Sequence, residues 1–163
     1  MIHEQIDLLN ANLKPIEPQN IIEEALHILS RQFKRESVSF TTPQAVKNYC
    51  RLKLAQKEHE VFGVMFLDNQ NRLIAFKEMF RGTIDGCSVY IREVAKDALR
   101  LNAAAMIFTH NHPSGVCEPS QADLTITRKL IDALALFDIR VLDHIVVSLE
   151  DAVSMAERGL LGA

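Results

Sequence analysis

Apolar residues recur with two different periods along this chain, and the switches between them lay out its elements. Ile22, Leu26, Leu29 and Phe33 fall on one stripe of a helix that Gln19 or Asn20 opens, after a polar start containing Pro15 and Pro18. Thr41-Thr42-Pro43 introduces a second, short helix through Ala45, Tyr49 and Leu52, with the proline where a missing N–H costs least. The period then changes. Val61 to Leu67 is an unbroken apolar run, Asp68-Asn69-Gln70-Asn71 is a turn signal, and Arg72 to Phe80 is a second strand-like run, so a β-hairpin is predicted. Gly82, Asp85 and Gly86 mark a loop, with room for a short strand at Ser88 to Tyr90. Val94, Ala98 and Leu101 restore helical spacing, and Ala103 to Thr109 reads as a buried strand. Pro113, Gly115 and Pro119 shape a loop before Ser120 opens a long helix, whose apolar face is Leu124, Ile126, Leu130, Ile131, Leu134 and Phe137. Arg140 to Ser148 is the last clear strand, and Ala156 to Leu161 forms a short terminal element.

Strands and helices mixed in this way, with mostly short connections, predict one sheet with helices packed on its faces, an α/β or α+β fold of the three-layer kind. The length of 163 residues, 48% hydrophobic and 24% charged, suits one sizeable core and is too short for two large ones. A formal net charge of −3 gives no global attraction to nucleic acid or anionic lipid. The first helix is expected to cap the domain, the alternative being a partner-binding surface. Arg31, Lys34 and Arg35 form a small basic cluster that reads as a solvated helix end. The first residues lack a basic segment followed by an apolar one, and no stretch reaches the roughly 18 apolar residues of a membrane span. A cytoplasmic protein with no membrane partner is therefore expected. Cys50, Cys87 and Cys117 make no CxxC pair and are odd in number, which fits reduced thiols.

The chemistry concentrates at one place. His110 and His112 stand two apart at a strand end, where side chains i and i+2 share a face and lie roughly 6–7 Å apart. Pro113 ends the strand, and a loop brings Asp123 back in the first turn of the next helix. Two nitrogens, one oxygen and a water make the open tetrahedron of a catalytic zinc site. Each part also has a bland reading. Ser120-Gln121-Ala122-Asp123 matches a helix cap, with Ser120 as N-cap and the acidic Asp123 favoured by the helix dipole. Paired histidines at a strand end are often only polar rim residues. The combination is what favours a metal.

His110-x-His112-Pro113, a six-residue spacer, Ser120, two residues and Asp123 reproduce without a gap the JAMM metalloprotease motif of MPN/JAB-type domains. More closely, the stretch from about Glu60 to Leu161 resembles RadC-type bacterial proteins. Leu67-Asp68-Asn69-Gln70-Asn71-Arg72, Phe80-Arg81-Gly82-Thr83-Ile84, Arg92-Glu93-Val94 and Leu142-Asp143-His144 carry that resemblance. It implies a cytidine-deaminase-like α/β/α sandwich with a mixed sheet over residues 41–163, preceded by a helical extension over 1–40. It also implies a zinc-dependent peptidase-type site with one Zn2+ per chain, acting on a peptide or protein substrate.

JAMM sites use an upstream glutamate, and Glu60-Val61-Phe62-Gly63-Val64 fits that pattern, so Glu60 is the expected general base and Glu78 in the following strand its rival. The resemblance makes Ser120 a donor to the developing oxyanion, a role compatible with capping. Asn111 and Ser114 line the same loop as lesser candidates. Cys117 is a minor candidate for a fourth, closing ligand, although the motif leaves its position unspecified. His144 is expected as a hydrogen-bonded core histidine, the alternatives being a distant ligand or a partner to a ligand. Full-length RadC-type proteins resemble a helix-hairpin-helix module joined to the JAB domain. With no glycine before Gly63, that DNA-binding half is expected to be missing. A RadC-like DNA-repair accessory role, with the zinc domain as scaffold, is the alternative function.

Overall fold

The computed structural model describes residues 17–35, 42–82 and 87–162, with the backbone alone for 30–35. Its elements in chain order are α1 (Pro18–Arg35), α2 (Pro43–Leu54), β1 (Val61–Leu67), β2 (Leu73–Arg81), α3 (Ile91–Arg100), β3 (Ala105–Asn111), α4 (Gln121–Ala135), β4 (Arg140–Val147) and β5 (Ala152–Ser154). The five strands form one sheet in the order β2-β1-β3-β4-β5. β3 and β4 run parallel, joined through α4, and every other neighbouring pair is antiparallel.

β1 is apolar at every position because both of its faces are covered. Its odd-numbered residues Val61, Met65 and Leu67 join Ile107, Ile145 and Val147 under Val46, Tyr49, Cys50 and Leu54 of α2, with Leu26 and Leu29 of α1 packed alongside. Its even-numbered residues Phe62, Val64 and Phe66 join Met106 and Phe108 under Val94 and Ala98 of α3 and Leu130 and Leu134 of α4. Two cores back to back on one sheet make the three-layer α/β/α sandwich with a mixed sheet. Gly63 interrupts the run for a steric reason. A Cβ there would stand 2.7 Å from the Phe76 ring and 3.2 Å from the Thr109 methyl. Gly63→Ala should therefore cost about 1–3 kcal/mol by overpacking, read as a lowered midpoint of chemical denaturation.

The β1–β2 turn is built as its residues predict. Asp68 Oδ1 accepts the Gln70 and Arg72 amides at 2.8 and 2.9 Å, and Asn71 takes a φ of 58°, the left-handed region that asparagine tolerates. Three expectations need correction. Ser88–Tyr90 pairs with no strand and runs as irregular chain. Phe137 is 46% exposed, because the chain reverses at Asp138 (φ 57°) and Ile139 takes the buried place, its amide bonding back to the Leu134 carbonyl at 3.1 Å. After β4 a tight turn closed by Ser148 N–H on the Asp151 carbonyl leads into β5, a strand too short to show a period. The tail that follows is a turn rather than a regular element, held by Asp143, whose carboxylate accepts the Ala156 amide at 2.9 Å and the Ser154 hydroxyl at 2.5 Å. Side chains of Phe33, Arg31, Lys34 and Arg35, and the loop residues Asp85 and Gly86, lie outside what is described. No described helix is long and apolar enough to cross a membrane.

Candidate metal centre

β3 carries His110 to the end of the sheet on the face shared with Phe62 and Phe108, 1% exposed. The strand ends at Asn111, yet His112 N–H still bonds the Val147 carbonyl of β4 at 2.9 Å, so the extended direction persists for one more residue. That keeps His110 and His112 on one face. Past Pro113 the chain turns tightly, Gly115 N–H reaching the His112 carbonyl at 3.1 Å, with Gly115 at a φ of 89° that a side chain would strain. The turn brings the Val116 carbonyl within 2.7 Å of His112 Nδ1. A carbonyl only accepts, so His112 Nδ1 carries a proton and neutral His112 presents a bare Nε2.

Ser120 then caps α4 in a reciprocal box. Its hydroxyl accepts the Asp123 amide at 3.1 Å, while Asp123 Oδ2 accepts the Ser120 amide and hydroxyl, each at 2.7 Å. The capping role of Asp123 is observed, and it leaves the other carboxylate oxygen facing the histidines. His110 Nε2 lies 2.9 Å from His112 Nε2 and 3.2 Å from Asp123 Oδ1, and His112 Nε2 lies 3.6 Å from Asp123 Oδ2. A zinc tetrahedron with bonds of roughly 2.0–2.1 Å has edges of about 3.3–3.4 Å. The three separations bracket that edge, and among the described residues these three form the group able to hold a metal ion. The donor set of two imidazoles and one carboxylate suits zinc.

Electrostatics at the site favour a cation. Burial alone would raise the Asp123 pKa, but His110 and His112, which donate to it from Nε2 when protonated, and the Ser120 hydroxyl outweigh it and hold the carboxyl well below its usual range. The hydrogen bond to Asp123 raises the His112 pKa against the opposing effect of burial. Behind the ligands, His110 Nδ1 meets His144 Nε2 at 2.8 Å, and His144 Nδ1 meets the Thr127 hydroxyl at 2.5 Å. Burial, reinforced by His110, drives the His144 pKa well below the usual imidazole value, so this histidine is neutral. The matching family model is the RadC-like JAB domain, over residues 40–160. The chain belongs to that family. It is 59% identical to the UPF0758 protein of Vibrio cholerae over 141 residues, 86% of this chain and 88% of that one. Against the UPF0758 protein of Methylibium petroleiphilum it is 58% identical, covering 86% of this chain and 63% of the relative. Against that of Leptothrix cholodnii it is 56% identical, covering 91% and 66%. The chain thus spans about two thirds of the length of the last two.

In this RadC-like JAB domain His112 and Asp123 line a cavity of about 460 Å3 together with Glu60, Ser114, Ser120, Cys87, Val89 and Ile126, with His110 buried behind them. Glu60 is half-buried, and burial raises its pKa while attraction to His110 and His112 opposes the rise. Glu78, its rival, instead pairs with Lys57 Nζ at 3.0 Å, out on β2 opposite Gly63. Cys117 is not a fourth ligand. Its buried thiol donates to the Asp151 carbonyl at 3.1 Å, on the turn between β4 and β5. Ser114 does line the cavity, whereas Asn111 does not, because successive strand residues face opposite ways.

Asn111 has a different task. Its Oδ1 accepts the Val61 amide at 2.8 Å, and its Nδ2 donates to the Lys57 and His59 carbonyls at 3.2 and 3.0 Å. The Gly82 amide adds a bond to the Glu60 carbonyl at 2.8 Å. Glu60 is thus tied on both sides to the residue between the two histidines. Asn111→Ala orphans the buried Val61 amide, at a cost of about 1–3 kcal/mol. Amide hydrogen exchange at Val61 should accelerate, with α4 amides unaffected. Neither this strap nor Thr127 was visible as function in the sequence, although Thr127 stands one helical turn from Asp123 and so on the same face.

Proposed function

We propose that this domain is a zinc-dependent hydrolase of the JAMM type, cleaving a peptide or isopeptide bond. The observation that carries the reading is the convergence of His110 Nε2, His112 Nε2 and Asp123 Oδ1 and Oδ2 at the separations of a zinc tetrahedron, beside a cavity that also holds Glu60 and Ser120. When bound, zinc supplies Lewis acidity, lowering the pKa of a coordinated water from about 15.7 toward about 7. His110, His112 and Asp123 would hold the ion, and the Ser120 cap fixes the direction from which Asp123 would approach it.

Glu60, which lines the same cavity, would accept the water's proton and deliver it to the leaving amine. Partial burial suits it for both roles, since a carboxyl whose pKa lies above the ordinary range is a stronger base toward water and, once protonated, is still acid enough to protonate a leaving amine. Ser120 lines the same cavity, and its hydroxyl, which donates to Asp123 Oδ2 at 2.7 Å, would have to turn that proton toward a developing oxyanion to stabilise it. Cys87, Val89 and Ile126 add apolar side chains to the lining. The test is cleavage of peptide-linked and isopeptide-linked fluorogenic libraries by zinc-loaded protein. Cleavage that a chelator abolishes and added zinc restores is the expected result. Turnover indifferent to the chelator would remove the proposal.

A further inference from the structure

The hydrogen bonds behind the ligands have only one possible direction. Thr127 Oγ1 donates to the main-chain carbonyl of Asp123 at 2.6 Å. A hydroxyl has one proton and a carbonyl has none, so the Thr127 oxygen can only accept from His144 Nδ1, 2.5 Å away. His144 therefore carries its proton on Nδ1 and turns a bare Nε2 to His110. His110 Nδ1, 2.8 Å from it, must then be the donor, and a neutral imidazole protonated on Nδ1 has its lone pair on Nε2. That is the nitrogen facing His112 and Asp123. The whole relay is buried: Thr127 and His110 are each 1% exposed and His144 0%, so water cannot substitute for a missing partner.

We propose that Thr127 and His144 are positioning residues that set the tautomer and ring orientation of His110, with the Asp123 carbonyl as the fixed end of the relay. Asp123 thereby acts twice on the same ion site, through its carboxylate directly and through its backbone by way of three side chains. The coupling also links α4, β4 and β3, since one residue of each must keep its place for His110 to present Nε2. The packing supports this rigidity: the His144 ring meets Phe62 and Phe108 edge-on, with centroids 5.5 and 5.9 Å apart. The inference deepens the metal reading given above and rests on it: His110 Nε2 faces two acceptors, His112 Nε2 at 2.9 Å and Asp123 Oδ1 at 3.2 Å, so without an ion the relay sets only the Nδ1 protons of His110 and His144.

Thr127→Val and Thr127→Ser separate the hydroxyl from the packing, because valine keeps the shape and serine keeps the donor. Long-range 1H–15N spectra of metal-free protein, taken where the imidazoles are neutral, read the tautomers directly. Wild type and Thr127→Ser should show His110 and His144 protonated on Nδ1. Thr127→Val should move the His144 proton to Nε2 and with it that of His110, placing N–H where the ion binds. Zinc affinity, measured by competition with a chelating dye, should fall about 10–100-fold in Thr127→Val and recover in Thr127→Ser. Wild-type His110 or His144 without a proton on Nδ1, or a Thr127→Val protein with unchanged tautomers and unchanged zinc affinity, would overturn the inference. A wild type with the expected tautomers that takes up no zinc would uphold the relay and defeat the metalloenzyme reading instead.

Discussion

Replacing His110 by alanine should lower zinc affinity by more than about a hundredfold, and replacing Asp123 by asparagine should do the same. Changes to residues that merely support a ligand already cost about 10–100-fold, so deletion of a ligand must exceed that range. The two substitutions differ in their side effects. Asp123 also accepts the Ser120 amide and hydroxyl, so alanine there would add the loss of a helix cap, worth about 1 kcal/mol. Asparagine retains an acceptor for the cap and removes the charge, which is why it is the better probe. Zinc per chain in protein purified without added metal, followed by chelator competition, gives the readout. Wild type should hold one ion per chain, and metal content unchanged by both substitutions would end the case for the site.

Glu60→Gln should leave zinc in place and take away turnover. Glu60 is not among the three converging ligands, so zinc affinity should stay within a few-fold of wild type. Glutamine keeps the size of the side chain and cannot take a proton. Loss of a general acid–base group typically lowers the rate about 10²–10⁴-fold, or roughly 2.7–5.5 kcal/mol in the barrier. The pairing of intact metal with lost rate distinguishes a base from a ligand. Glu78→Gln is the matched control, expected to break only an exposed ion pair with Lys57 and to leave the rate alone. If Glu60→Gln retained wild-type turnover, the proton would have to pass through another group.

The contrast between residues that were legible and those that were not follows the reach of the signals. The apolar run of β1 announced a strand, and Asp68 to Asn71 announced the turn after it. His110, His112 and Asp123 were legible because strand period, a proline stop and a helix start act over a few residues each. Ser120 was legible twice over, and its cap and its place in the cavity prove compatible. By contrast, Cys117 lay near the histidines in sequence and bonds elsewhere in space. Asn111 looked like a cavity residue and instead faces the opposite side of the sheet. β5 carries only three residues, below the length at which alternation can be seen.

What the sequence determined by itself is the local chemistry: which residues form each element, and which three side chains can meet around one ion. These follow from backbone periodicity and from loop closure over short distances. The sheet order decided the rest. Because β3 lies between β1 and β4, one strand end can tie the Glu60 segment through Asn111 on one face and engage His144 through His110 on the other. Those partners stand 50 and 34 positions away along the chain. No periodicity extends that far, and only the pairing of β3 with both neighbours, sealed by two separate cores, brings them within hydrogen-bond distance.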